Sequence, residues 1–280
     1  MDLSKKIIFI GHVSKDINII KNKEQINPGG GVFYGSFVAK SYNMNTYVYT
    51  KANLKDRYLF KEMEEYGIKV IWFPSKSTTS IKNIMPSDNP DERVSLIIEK
   101  GDPFDFKDIK DIKGDIIHIT PLWHGEIPEE LIKEIRKNTK VLGLDAQGFL
   151  RNVDEKGSMV YKDWEKKTEF LPLIDVFKVD SREAEILTEE KDFRKALNLI
   201  SKWGPKEILL THKDGVMLWV EGEIYEERFG EWTLEGRTGR GDTCMSAYLI
   251  HRGLGYETAL RKAAEITTEK MKKSSPFKIG

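Results

Sequence analysis

The sequence is poor in thiols, in charge imbalance and in long apolar runs, and each shortage excludes something. Cys244 is the only cysteine in 280 residues, which excludes an intramolecular disulfide and a cysteine-rich zinc site and fits a reducing compartment. The five histidines show no ligand spacing, and His12 reads as a packed, hydrogen-bonded residue. Lysine plus arginine and aspartate plus glutamate both total 45, so no excess charge attracts nucleic acid or an anionic membrane. The expected partner is a small molecule. Near the N-terminus the only apolar run, Ile7 to Ile10, ends at Gly11 and is too short for a signal peptide or a membrane span, so a cytoplasmic location is expected. No internal repeat, low-complexity tract or disordered linker is visible.

What is present is an alternation of strand and helix patterns. Ile7–Ile10 has the form of a buried, central parallel strand. Residues 13–20 alternate as a half-exposed strand and break at Lys21-Asn22-Lys23-Glu24, and Pro28-Gly29-Gly30-Gly31 leads into a helix. Strands follow at 46–50, 70–73, 115–120, 140–145, 176–179 and 208–210. Helices are predicted at 55–66, 128–138, 161–171, from Ser181, from Lys191, at 242–253 and at 256–272, with a last hairpin at 216–220 and 223–229. Residues 78–99 break the rhythm: two β-prone arms flank Pro86-Ser87-Asp88-Asn89-Pro90-Asp91 with no helix between them. With residues 13–27 they would form a small β lid. The prediction is a single α/β domain over 1–280, a mostly parallel sheet covered on both faces, with ligands beyond the carboxyl ends of its strands.

One stretch organises the chemistry, Gly236-Arg237-Thr238-Gly239-Arg240-Gly241-Asp242, a glycine-rich turn opening a helix. Such a turn aims amide N–H groups and the positive end of a helix dipole at one point, which suits an anion. A carboxylate beside that anion is costly unless it takes a proton. As local structure alone, the same stretch is a glycine turn with Asp242 as N-cap.

The stretch resembles the second signature of the PfkB (ribokinase-like) family of carbohydrate kinases, Asp-Thr-x-Gly-Ala-Gly-Asp, departing from it at Gly236, Arg237 and Arg240. Other segments match in the family's order. Asp16, just past the first strand, resembles the substrate aspartate and also reads as a surface carboxylate at a strand end. Gly29, Gly30 and Gly31 resemble the Gly-Gly element that closes over the sugar, or a flexible loop; the family's asparagine falls at Tyr34. Asp180-x-x-Glu183 stands where relatives carry Asn-x-x-Glu, with Glu183 reaching Mg²⁺ through water, or it is a capped helix start. Thr211, Lys213 and Gly215 stand at the nucleotide loop, Lys213 replacing a glycine and reading equally as a solvated turn lysine.

Within the family the chain is most similar to the myo-inositol kinase branch, through Leu144-Asp145-Ala146-Gln147-Gly148-Phe149-Leu150-Arg151, Phe177 to Ala184, Gly101-Asp102-Pro103 and Leu234 to Asp242. The resemblance implies an ATP- and Mg²⁺-dependent kinase of a polyol hydroxyl. Asp242 would be the general base, with Gly239, Arg240 and Gly241 as the anion hole. Asp16, Gly29, Gly30, Gly31, Asp145 and Gln147 would lie around the substrate, Asp180, Thr211, Lys213 and Gly215 around the nucleotide, and Glu183 at the metal. Because Gly236 replaces the aspartate that contributes to a monovalent-cation site, little dependence on K⁺ is expected. A homodimer through the lid strands is allowed by their edges. Two other readings stay open: a kinase for another sugar or nucleoside, and a non-catalytic sugar-binding regulator.

Overall fold

A computed structural model describes residues 5–20, 23–85, 94–155, 157–233 and 235–279. The chain opens with β1 (Lys6–Ile10), β2 (Ser14–Ile20), β3 (Lys23–Gly29), α1 (Gly31–Ser41), β4 (Asn45–Ala52), α2 (Lys61–Glu65), β5 (Lys69–Pro74), β6 (Ser80–Met85) and β7 (Val94–Glu99). It continues with α3 (Phe106–Ile109), β8 (Gly114–Ile119), α4 (Glu130–Arg136), β9 (Thr139–Asp145), α5 (Gln147–Leu150), β10 (Arg151–Val153), β11 (Met159–Tyr161) and α6 (Lys167–Phe170). Then come β12 (Val176–Asp180), α7 (Ser181–Thr188), α8 (Phe193–Ser201), β13 (Glu207–Thr211), β14 (Gly215–Val220), β15 (Glu223–Arg228), α9 (Arg240–His251) and α10 (Tyr256–Met271).

Nine strands make one sheet in the order β15-β14-β13-β12-β9-β8-β1-β4-β5. The pairs from β13 to β5 are parallel, while β14 and β15 add an antiparallel edge. β1 is interior, with parallel partners on both sides, although it lies third from an edge. Its unbroken apolar run follows from that position. Ile7 and Phe9 enter one core with Phe37, Met245 and Ala263, and Ile8 and Ile10 enter a second core with Ile117, Ile132 and Ile200. A strand buried on both faces has no polar side to show. Each such side chain contributes roughly 1.5–3 kcal/mol on burial, and together they fix the level of the strand ends that carry the site. Among the described residues no helix is long and apolar enough to cross a membrane.

A separate four-stranded sheet, β3-β2-β6-β7, is built from the segments predicted as a lid. β3 is absent from the sequence reading, which puts a polar turn at Lys21–Glu24. Of that turn, Lys21 and Asn22 lie outside the described residues, and Lys23 already pairs with Ile20. Pro28 is tolerated because β3 is an edge strand with no further ladder to join. The predicted turn Pro86–Asp91 lies outside the described residues.

Two predicted helices differ from what forms. Over 55–66 the chain makes a tight 3₁₀ turn, Leu54–Phe60, capped by the Asn53 side chain on the Lys55 N–H, before α2 begins. Over 161–171 only Lys167–Phe170 is α-helical. Tyr161 closes the β10–β11 hairpin, and Trp164, almost fully buried, stacks on Phe149 at 4.5 Å with its Nε1 donating to Glu129. Burying that indole as a wedge replaces the helix.

Candidate active site

The carboxyl ends of four neighbouring strands, β13, β12, β9 and β8, put polar residues in one row. Lys178 on β12 is the register partner of Asp145 on β9, and Asp180 on β12 partners Thr211 on β13. His118 on β8 brings its Nε2 within 3.2 Å of Asp145 Oδ1. All lie where ligands bind in open α/β sheets. A cavity of about 170 Å³ opens there. Asp16, Gly30, Gly31 and Gln147 line it, as do Asp180, Thr211, Gly239, Arg240, Gly241 and Asp242. The small sheet contributes Ile81, Asn83 and Ser95 to the same walls.

The glycine turn is built by close approach. Gly239 is the N-cap of α9 at φ 80°, the left-handed region that glycine enters without strain. The ring of Tyr34 occupies the place where a β-carbon on Gly239 would stand. The amides of Arg240, Gly241 and Asp242 follow as the first turn of the helix, with no intrahelical acceptors of their own. Asp242 is therefore the third residue of α9 and is not its N-cap, which corrects the purely local alternative. Gly31, the first residue of α1, is pressed against it: a β-carbon there would collide with the Thr120 hydroxyl and lie 2.8 Å from Asp242 Oδ1. Burial raises the Asp242 carboxyl above its ordinary value, and Asp145 raises it further, against the lowering pull of Lys178.

The charges around it are arranged in alternation. Burial alone would raise Asp145, but His118 and Lys178 hold it below the ordinary carboxylate range. Burial alone would lower Lys178, but Glu183, Asp145 and Asp180 hold its ammonium above its ordinary value. A β-carbon on Gly241 would come within 2.9 Å of Lys178 Nζ, so this ammonium lies under the glycine turn. Asp16 accepts a 2.6 Å hydrogen bond from Ser14 and packs against Gly29, which ends β3. His12 is the packed histidine the sequence suggests, with Nδ1 2.7 Å from Thr79 Oγ1.

Asp145, Glu183, Lys213 and Gly215 stand off the cavity wall. Asp145 is fully buried beneath the row, paired with His118 and Lys178. Glu183 and Asp180 form a reciprocal capping box at the start of α7, each accepting the other's N–H at 2.8 Å. Glu183 Oε2 is 3.7 Å from Lys178 Nζ, Oε1 has no hydrogen-bond partner, and burial with Asp180 pushes its carboxyl to about 7. Lys213 is exposed on the β13–β14 turn. Gly215 packs against the backbone of Glu227 across the β14–β15 ladder, which is a structural reason for glycine there. Sequence reasoning missed Lys178, Arg151, Asn83 and Ser95, all on the cavity wall. For Lys178 a signal existed, a lone lysine inside the apolar strand Val176-Phe177-Lys178-Val179.

A doubly wound nine-stranded sheet, a small sheet over its ligand edge and a glycine turn opening a late helix define a ribokinase-like α/β kinase fold. A pyrophosphate-dependent kinase in the ribokinase family, solved with a pyrophosphate analogue and myo-inositol, is 42% identical, with a TM-score of 0.91 and 97% of each chain covered. A sulfate complex of a pyrophosphate-dependent kinase in that family is 43% identical at a TM-score of 0.93, again with 97% of each chain covered. A third structure reports conversion of a pyrophosphate-dependent myo-inositol-1 kinase into a myo-inositol-3 kinase. It is 41% identical at a TM-score of 0.90, covering 97% of this chain and 95% of that one. The chain belongs to the ribokinase family of kinases. No protein-family model and no curated protein matches it.

Proposed function

We propose that the protein transfers a phosphoryl group from pyrophosphate to a hydroxyl of a cyclic polyol, myo-inositol, with Asp242 as general base. The observation that carries this reading is the position of Asp242, in the first turn of α9 and against Gly31 at the start of α1. Asp16 and Gln147 share its cavity and offer hydrogen-bond acceptors to a molecule that presents only hydroxyls.

ATP is the donor that the sequence suggests, and pyrophosphate is favoured here on three grounds. The cavity of about 170 Å³ is below the ~300–1,000 Å³ common for pockets that enclose larger ligands. Of the four residues assigned to the nucleotide, Asp180 and Thr211 line it, but Lys213 and Gly215, which follow β13, lie off its wall. The solved relatives at 41–43% identity are pyrophosphate-dependent.

In the reaction, a polyol oxygen attacks the near phosphorus in line and its proton passes to Asp242. The bond to the bridging oxygen breaks, and orthophosphate leaves. The amides of the Gly239–Gly241 turn, with Lys178 beneath them, stabilise the charge on the transferring group. The Arg151 and Arg240 side chains on the cavity wall supply further cations for the donor. The unpartnered, buried Glu183 Oε1, with Asp180 beside it, fits a hydrated Mg²⁺ reached through water. When bound, that ion neutralises charge on the donor phosphates.

The small sheet would act as a lid that selects the hydroxyl. Ser95 donates to Asn83 at 2.8 Å and Asn83 to Asn18 at 3.1 Å, a polar network on the cavity's lid side. In the solved relative, replacing an asparagine and a serine by leucine changed a myo-inositol-1 kinase into a myo-inositol-3 kinase; Asn83 and Ser95 are proposed to have the same use here. Purified protein assayed with polyols, sugars and nucleosides, each with pyrophosphate and with ATP, tests the reading. Turnover confined to a nucleoside or a furanose would overturn the polyol assignment, and binding without turnover for every pair would favour a regulator.

A further inference from the structure

Lys270, in the last turn of α10, is fully buried. Among the described residues no carboxylate reaches it at ion-pair distance; Nζ is met by backbone oxygen, donating to Gly236 at 2.8 Å and lying 3.5 Å from the Lys273 carbonyl. The ammonium also lies 5.1 Å over the Tyr34 ring. Holding a charge in the interior without a counter-ion is costly. Burial lowers this lysine to about 8, with Asp242 acting in the opposite sense. Packing alone does not need a charge here, since the neighbouring α10 side chains Ala263, Ile266 and Met271 fill the core without one.

Two of the three contacts of the ammonium, the Gly236 carbonyl and the Tyr34 ring, lead to the anion turn. Gly236 belongs to the tight turn Glu235–Arg237 that precedes Gly239–Gly241. Its neighbour across space is the Met271 carbonyl, into which any side chain at 236 would run. The backbone at the end of α10 therefore fills the place of the acidic side chain carried there by related signatures, and the lysine ammonium takes up the Gly236 carbonyl. Tyr34, whose ring lies under Nζ, is the surface against which Gly239 packs.

We propose that Lys270 is a built-in monovalent cation: its ammonium, held by the Gly236 and Lys273 carbonyls and the Tyr34 ring, fixes the Gly236–Gly241 turn in its anion-binding form without a dissociable ion. Lys270 touches neither donor nor acceptor, so it is a positioning residue. The proposal rests on the reading of Gly239–Gly241 as the anion hole.

The test uses the full chain, with Lys270→Met, Lys270→Arg and Lys270→Ala. Wild-type turnover is expected to be the same in K⁺, Na⁺ and tetramethylammonium salts. Lys270→Met should lose about tenfold or more in kcat through a displaced turn, with the acceptor KM little changed, and Lys270→Arg should lose less. Lys270→Ala should be restored in part by added K⁺ or methylammonium, which a merely structural role would not produce. A strong K⁺ stimulation of the wild type, a folded Lys270→Met with unchanged kcat, or a Lys270→Ala that no cation restores would each overturn the proposal. The wild-type cation series needs no variant to fold. Calorimetric titration of wild type and Lys270→Met with pyrophosphate separates this proposal from the kinase reading. If the wild type binds pyrophosphate but does not turn over, weaker binding by the variant supports the built-in cation and equal binding overturns it.

Discussion

Gly31 and Asp242 belong to different helices, 211 positions apart in sequence, yet no β-carbon fits between them without standing 2.8 Å from the Asp242 carboxylate. The start of α1 and the start of α9 thus converge on one oxygen atom. A carboxylate at two helix starts would ordinarily be held ionised by their dipoles, whereas here burial and Asp145 raise it. That conflict accords with the role proposed for Asp242 in proton transfer.

Asp242→Asn keeps the shape and removes the proposed base. Turnover is expected to fall by about 10²-fold or more, while pyrophosphate affinity measured by calorimetry is retained. The variant should also be more stable than the wild type at neutral pH, because a raised carboxyl loses its stabilising contribution as pH rises through its folded value. Thermal unfolding at neutral and acidic pH checks this, the gap closing on acidification.

The acid side of the pH–rate profile reports the same group. Asp242 accepts a proton only when ionised, so kcat/KM should fall as pH drops through its raised value. The fall should therefore begin above the ordinary carboxylate range. In Asp242→Asn the residual rate should lose this limb. An acid limb unchanged in the variant would assign it to another residue.

Lys178→Met removes the cation shared by Asp145, Glu183 and Asp242. Asp145 and Glu183 are buried and cannot recover solvent. The expected loss is about 3–5 kcal/mol, that of breaking a buried pair from one side, read as a lower midpoint in urea unfolding. Lys178→Met with Asp145→Asn should recover part of it, because the stranded charge is gone.

Asn83→Leu with Ser95→Leu should move the phosphate to a different hydroxyl of myo-inositol. Both are polar groups on the cavity wall and neither adjoins the anion turn in sequence. Product analysis by ³¹P and ¹H NMR distinguishes the positions. The same product at an unchanged rate would remove the lid network from substrate orientation.

The frame of the fold and the turn at Gly236–Asp242 were legible in the sequence because both are local signals. Ile7–Ile10, a short run with no polar face ended by a glycine, has the form of a strand covered on both sides, and Gly239-Arg240-Gly241 before a helical pattern has the form of a glycine turn opening a helix. What was not legible depends on distant partners. The start of β3 reads as a turn because Lys23-Glu24 is polar, and it becomes strand through pairing with β2. Residues 161–166 look helical until Trp164 finds Phe149 and Glu129. Lys178 shows in sequence only as a lone lysine in an apolar strand, and Lys270 is an ordinary lysine there, since its buried place is set by the Gly236 carbonyl and the Tyr34 ring far along the chain. Asp145 reads as a substrate contact from its strand end, and the structure buries it completely beside Lys178, its register partner in the next strand.

The most direct test is a ³¹P NMR time course of the purified protein with myo-inositol and Mg²⁺, run once with pyrophosphate and once with ATP, with Asp242→Asn as control. The expected result is a phosphomonoester signal and orthophosphate growing together from pyrophosphate, little ester from ATP, and neither from the variant. Ester formed from ATP alone would contradict the donor assignment. An ester signal of undiminished rate in a folded Asp242→Asn would contradict the central claim, that this carboxylate takes the proton from the attacking hydroxyl.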